Sequence, residues 1–451
     1  MSRAVPEPGA PARPVAALRP EDAEGFVGVL RRRDFRMLWA AQVLSQLGDK
    51  FLMFTLLVLV YTLSGRSTGS SLVMVAYTLP SVLLSAPAGV YADRHDKRTL
   101  MLATNLIRGG LILLIPLSQQ LPYVQHRAWP LLLITLLFSA VGQVFAPAEA
   151  ASLPFLVRHE QIMTATSLFM TTAILTLVVG VPLATICVRV VGATAPFYVA
   201  CALFAGASFC IWRLGSSLRA PVRDHTPKRH IGRELHEGLM MLGGHPTLRL
   251  ALGQVTLALT VVFSVFSLGP AYMSRLLGHP PTDTYLLLIP LTGGMVGAAL
   301  LLGRANHRQP SRSRLAVWST IATGAALLGL GLLPGILRDS GPHLLSTPSA
   351  MVLSLAFGWS LGALLIPAFT VLQERTDEAA RGRIFGGIFT VINAAVAVPL
   401  VLAGGLADAF GVARVVSVLG AGLLLAGLLA GGLFADRLRV LDVPPRTPPE
   451  V

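Results

Sequence analysis

Residues 76–118 read AYTLPSVLLSAPAGVYADRHDKRTLMLATNLIRGGLILLIPLS. Two apolar runs flank a charged knot, DRHDKR, at 93–98. Each run suits a helix that crosses a bilayer, which takes about 20 mostly apolar residues. The knot cannot sit in hydrocarbon, so it marks a point where the chain leaves the membrane and turns back. The same alternation runs outward in both directions. Charge-free windows lie at 67–92, 128–148, 161–188, 190–212, 250–274, 284–303, 315–337, 349–373, 384–407 and 415–435. Two more windows are as apolar but carry charge: 37–63 holds Asp49 and Lys50, and 99–118 holds Arg108. Twelve membrane helices are the expectation. Their many Gly and Pro residues are usual for membrane helices.

Composition agrees. Of 451 residues, 53% are hydrophobic and 13% charged, against about 25% charged in soluble domains. This excludes a disordered chain and argues against a soluble enzyme. Cys187, Cys201 and Cys210 all lie in apolar stretches, which leaves no disulfide framework and no zinc spacing.

The net charge of +14 is unevenly spread. With the N-terminus placed in the cytoplasm, 28 Lys and Arg fall on the inside and 6 on the outside, with Lys50 and Arg108 in spans. That bias puts both termini in the cytoplasm of a plasma (inner) membrane protein. It also explains the basic charge without nucleic acid. Cysteines placed at Ser67, His126, His279 and His343 should react with an impermeant reagent from outside, and those at His95, His225 and His307 should not. Outside labelling of the loop at 94–98 would reverse the topology.

The longest hydrophilic interruption divides the spans six and six. We expect a cytoplasmic tail at 1–36, a first bundle at 37–213, a cytoplasmic loop at 214–248, a second bundle at 249–436 and a tail at 437–451. Residues 26–36 read as a basic interfacial lead-in. In the loop, Ile231, Leu235, Leu239 and Leu242 recur at helical spacing, as in a helix lying on the inner leaflet.

None of the three lysines follows a glycine, so the chain has no phosphate-cradling loop for ATP. The ten histidines lie in loops or at span ends without ligand spacing. Neither an enzyme nor a bound metal or cofactor is expected.

The knot carries a motif: Gly89, Asp93, Arg94, Lys97 and Arg98 stand as Gly, three residues, Asp-Arg, then further basic residues. In this the chain resembles the major facilitator superfamily. Further stretches narrow the likeness: RDFRMLWAAQVLSQLGD (33–49), FAPAEAASLPFLV (145–157), EGLMMLGGHPTLR (237–249) and RGRIFGGIF (381–389) resemble the drug–proton antiporters that include macrolide and enterobactin exporters. AQVLSQLGDKFLMF (41–54) and IPAFTVLQER (366–375) are also similar to bacterial lysophospholipid transporters. The resemblance implies twelve helices in two pseudo-symmetric six-helix bundles, an all-α membrane protein. There are departures. The second copy of the signature, GRANHR (303–308), has Asn306 and His307 in place of an Asp. The antiporter pattern of span five is reduced to Gly180-Val181-Pro182-Leu183-Ala184, and Pro147-Ala148-Glu149 replaces Pro-Ala-Arg.

Asp49 is the one acidic residue deep in a span, about 18 Å along its helix from Met37 at 1.5 Å per residue. Gln42, Gln46, Asp49 and Met53 share a helical face, which the resemblance turns toward a central cavity. Asp49, with Arg108 about 14 Å into span three, is a candidate for proton coupling; a static ion pair is the alternative. In the second half, Gln254, Phe263, Trp359 and Asn393 are the cavity candidates. Asp93 is placed to face a helix N-terminus of the opposite half, and Glu149 to pair with Arg94 or Arg98 and close an inner gate. The expected activity is proton-coupled efflux of amphipathic drug-like compounds or secondary metabolites by a monomer in contact with membrane lipids. A lysophospholipid transporter and a non-transporting receptor or scaffold are the rivals.

Overall fold

The computed structural model describes residues 25–123, 127–215, 246–304, 311–340, 345–374 and 381–433. The central loop with its amphipathic stretch lies mostly outside them, as do the tails and most of the GRANHR segment. A short helix, α1 (Gly25–Leu30), precedes six long ones: α2 (Arg33–Ser64), α3 (Ser67–Arg94), α4 (Lys97–Ser118), α5 (Trp129–Leu156), α6 (Ile162–Val191) and α7 (Ala195–Trp212). Six more follow: α8 (Pro246–Tyr272), α9 (Tyr285–Arg304), α10 (Arg312–Ser340), α11 (Ser346–Glu374), α12 (Arg381–Phe410) and α13 (Val412–Leu433). Among the described residues, twelve helices are long and apolar enough to cross a membrane.

The helices run several residues past the charge-free windows. Span one begins at Arg33, inside the expected lead-in. The lead-in itself is partly core: Val29 is buried, and Arg32 donates to the Leu156 carbonyl at 3.4 Å. Charged residues at a helix end can reach water, so charge marks the membrane boundary rather than the helix boundary. α2 stops at Gly65, whose φ of 63° closes the helix through an N–H bond to the Tyr61 carbonyl.

In the first bundle α2 packs on α6 and α7, and α4 and α3 pack on α5. In the second, α9 packs on α11 and α10 on α13. α9 and α11 approach to backbone contact; a methyl at Gly358 would overlap the Leu291 carbonyl. α3 lies along α12 and joins the two bundles.

The cores reveal how the halves meet. One apolar cluster includes residues of both bundles, among them Phe54, Tyr61 and Met74 with Phe266, Tyr272 and Ala407. All lie at the end of the molecule that carries Gly65 and Gly411. At the opposite end each bundle has its own cluster. One holds Phe35, Met101, Phe145 and Phe169; the other holds Leu248, Val255, Val371 and Ile392. The halves are packed together at one end and separately cored at the other.

Candidate functional site

Charge buried in the first bundle is organised around Arg108. Its guanidinium is ion-paired with Asp49 of α2. It lies over two aromatic rings, 4.2 Å from the centroid of Phe138 and 4.7 Å from that of Phe204. Gly142 makes room, since a Cβ there would fall 3.2 Å from the guanidinium carbon. One turn nearer the separated end, Ser45 donates to Asn105 at 3.1 Å. Two of the three mid-span charges on these helices, Asp49 and Arg108, are therefore brought together.

The shared face of α2 is divided between neighbours. Gln42 donates to the Phe169 carbonyl at 3.3 Å, and Gln46 accepts from Thr176 at 2.8 Å, both on α6. Asp49 turns to α4. Met53 is sealed in the shared core. The four side chains thus meet different neighbours: the arc is narrow enough to share a side yet broad enough to meet two helices at 100° per residue. Lys50 lays its β and γ carbons over Gly180 of α6.

The second-half candidates separate as well. Gln254 borders a cleft with Ala363 and Pro367 of α11. Phe263 is half-buried against the core, and Asn393 is half-buried. Trp359 packs its ring over Gly297 of α9 and is 41% exposed. It belongs to the α9–α11 contact rather than to a cavity, because only glycine on α9 leaves space for an indole.

The knot at 93–98 serves helix ends. Lys97 donates to the carbonyls of Asp93 and His95, at the end of α3. Arg98 donates to the carbonyls of Ile211 and Trp212, at the end of α7. Asp96 caps α4 through Thr99. Gly89 is half-buried, while Asp93 and Arg94 are exposed. Among the described residues Asp93 makes no hydrogen bond or ion pair with the other half, and Glu149 pairs with neither Arg94 nor Arg98. Glu149 is buried, and its Oε1 has no hydrogen-bond partner. Arg98 is committed to α7 carbonyls, and Arg94 points out. That is the reason the expected inner-gate pair is absent.

At the packed end, a second set of charges does join the halves. Asp408, near the end of α12, accepts from the backbone N–H of Ser67 at 2.8 Å and of Thr68 at 2.9 Å, and from the Thr68 hydroxyl at 2.6 Å. α3 has no side-chain cap of its own, so Asp408 caps it from the other bundle. Arg275 holds Asp408 at 3.1 Å and donates to the Gly65 carbonyl at 2.6 Å. Tyr61 meets Ser274 at 2.6 Å, and Arg189 meets Asp283 at 2.8 Å.

Sequence reasoning missed Asp408 and Arg275. Asp408 falls one residue past the charge-free window 384–407, where a charge marks only the end of a span. A signal existed: Asp93 and Asp408 occupy equivalent places near the C-terminal ends of α3 and α12.

Two six-helix bundles joined through α3 and α12 are now in view. The Major Facilitator Superfamily profile matches residues 38–398. The chain belongs to that superfamily. It is a transporter rather than an enzyme, and a multi-pass membrane protein. Macrolide efflux protein A of Streptococcus pyogenes is 25% identical over 84% of this chain and 90% of its own length. Multidrug efflux pump Tap of Mycolicibacterium fortuitum is 26% identical over 84% and 90%. Among solved structures, a bacterial homologue of the human lysosomal transporter Spinster, inward-facing and occupied, superposes with a TM-score of 0.68. It has 12% identity and covers 92% of this chain and 98% of that one.

Proposed function

We propose that this superfamily member exports amphipathic drug-like compounds or secondary metabolites in exchange for protons, by alternating access between its two bundles. The observation that carries the reading is the asymmetry of closure: one shared core and a cross-bundle latch at one end, two separate cores at the other. Relatives named for macrolide and multidrug efflux support the direction. The positive-inside bias supports placing the packed end outside and both termini in the cytoplasm of the plasma membrane. The cargo site then opens inward.

The two helix caps give the cycle its chemistry. Asp408, at the C-terminal end of α12, caps the N-terminus of α3 and closes the outer end. Asp93, at the C-terminal end of α3, sits where it can cap the N-terminus of the antiparallel α12 when the inner end closes. Only one can engage at a time if the bundles rock as bodies. Asp93→Asn should slow cycling without loss of insertion or binding; an unchanged transport rate would leave the loop with a topological role alone.

Proton binding is better served by Glu149 than by Asp49. Asp49 has a guanidinium, so its charge is compensated and static. Glu149 is buried, its Oε1 has no hydrogen-bond partner, and no ion pair holds it among the described residues, so it is free to carry a proton. Rocking that wets it releases the proton. Glu149→Gln should abolish pH-driven accumulation in proteoliposomes while substrate binding and folded yield persist. Full proton-driven transport by that variant would remove Glu149 from the cycle.

The test of the reading as a whole is efflux from proteoliposomes under an imposed pH gradient, read with a panel of macrolides and dyes beside lysophospholipids. Gradient-dependent movement of the drug panel supports export, and movement of lysophospholipid alone favours the lipid rival. Neither movement points to a receptor. The labelling experiment also needs one change. Ser67 is fully buried beneath Asp408, so Tyr123, which is 91% exposed, is the better outside position.

A further inference from the structure

Lys50 lies near the midpoint of α2, a 32-residue helix. Its stem is fixed: a Cβ on Gly180 would fall 3.0 Å from the Lys50 Cβ and 3.2 Å from its Cγ. Its ammonium makes no hydrogen bond or ion pair among the described residues. Nor is it sealed away, because the side chain is half-buried and its nitrogen is absent from the fully buried polar atoms that lack a partner. With Asp49 and Arg108 paired to each other, a protonated Lys50 has no counter-ion among the described residues.

A mid-span ammonium facing lipid is unfavourable, so such groups look into the bundle interior or a water-filled space. An ammonium there with no protein partner calls for an anion from outside the protein. We propose that Lys50 is the headgroup subsite of the cargo path, and that the cargo is an amphipath bearing one negative charge: a carboxylate, a sulfonate or a phosphodiester. The inference rests on the transport reading and sharpens it. A cationic compound would meet a field of its own sign. The three donors of an ammonium accept any of these anions, because a point charge imposes no planar geometry on its partner. Asp49 is then explained as well: by occupying Arg108 it limits the site to a single charge.

The experiment uses the full-length protein in nanodiscs and two probes of matched size and shape, tetraphenylborate and tetraphenylphosphonium, with binding to empty nanodiscs subtracted. The wild type should bind the borate more tightly than the phosphonium, by about tenfold or more for a unit charge in a partly shielded site. Lys50→Gln should erase the preference and Lys50→Arg should keep it. If Lys50→Gln does not fold, Lys50→Met gives the same readout. Absence of the preference in the wild type overturns the site without any variant, as does its survival in Lys50→Gln. Competition by oleate, taurocholate or lysophosphatidylglycerol then assigns the natural headgroup, and failure of all three to displace the borate counts against a cargo role. Proteoliposome transport separates the two ideas. Drug export that ignores Lys50 sinks the subsite and leaves the export reading. Lys50-dependent anion binding without any export does the reverse.

Discussion

Asp49→Asn is expected to collapse the folded yield of this transporter. The substitution leaves Arg108 buried, only 5% exposed, with no carboxylate. Breaking a buried pair from one side is destabilising by about 3–5 kcal/mol, because the remaining charge has no compensation. The two rings that flank Arg108 soften this but cannot replace a counter-ion. Membrane insertion should proceed, since the spans keep their hydropathy. The loss should appear as aggregation on size exclusion and a lowered midpoint of thermal unfolding in detergent. The double variant Asp49→Asn, Arg108→Gln removes both charges and should recover most of the yield. A well-folded Asp49→Asn protein that has lost proton-driven transport alone would reverse this assignment and restore Asp49 as the coupling residue.

Asp408→Ala is expected to open the packed end. It removes three hydrogen bonds to a charged acceptor and the partner of Arg275. Bonds to charged groups are worth about 1.5–3 kcal/mol each, and water recovers part of that at a site close to the surface. A net shift of about 2–4 kcal/mol in the balance of two states changes their ratio by about 30- to 1,000-fold. Ser71 reports the change. It is fully buried and meets Ser267 of the other bundle at 3.2 Å. A cysteine there should be nearly inert to impermeant maleimide in the otherwise wild-type protein and should react readily in the Asp408→Ala background. Equal reactivity in both would show that the shared apolar core, and not the latch, holds the end closed.

The fold was legible because charge is expensive in hydrocarbon. Twelve windows between charges become twelve helices, and the two windows with internal charges hold Asp49 against Arg108. Asp49 and Arg108 could be set at similar depth by counting residues from the span ends. The faces of α2 were not legible. Gln42, Gln46 and Asp49 lie on one side of the helix, but the line between α6 and α4 falls through that side, and no periodicity records where a neighbour stands. Gate residues failed for a related reason. Glu149 falls at the end of its bundle that carries the basic loop 94–98, and that shared end, not sequence proximity, suggested pairing with Arg94 or Arg98. Lys97 and Arg98 are instead drawn to the carbonyl ends of α3 and α7. The latch that does form joins Ser67 to Asp408, 341 residues apart. Only the antiparallel lie of α3 and α12 brings those two ends together. Lys50 shows the converse. It was visible as a charge within a span, but its isolation became apparent only once Arg108 was seen to claim Asp49.

The central claim is that the two ends open in alternation, and paired distance measurements test it most directly. Spin labels at Arg66 and Phe410 report the outer end, and labels at Arg94 and Arg304 report the inner end; all four positions are exposed. Measured by pulsed electron resonance in nanodiscs, the resting protein should give a short outer distance and a long inner one. In the Asp408→Ala background the outer distance should lengthen and the inner one shorten, in the same fraction of molecules. Outer lengthening with an unchanged inner distance, or ends that open together, would contradict alternating access between the bundles.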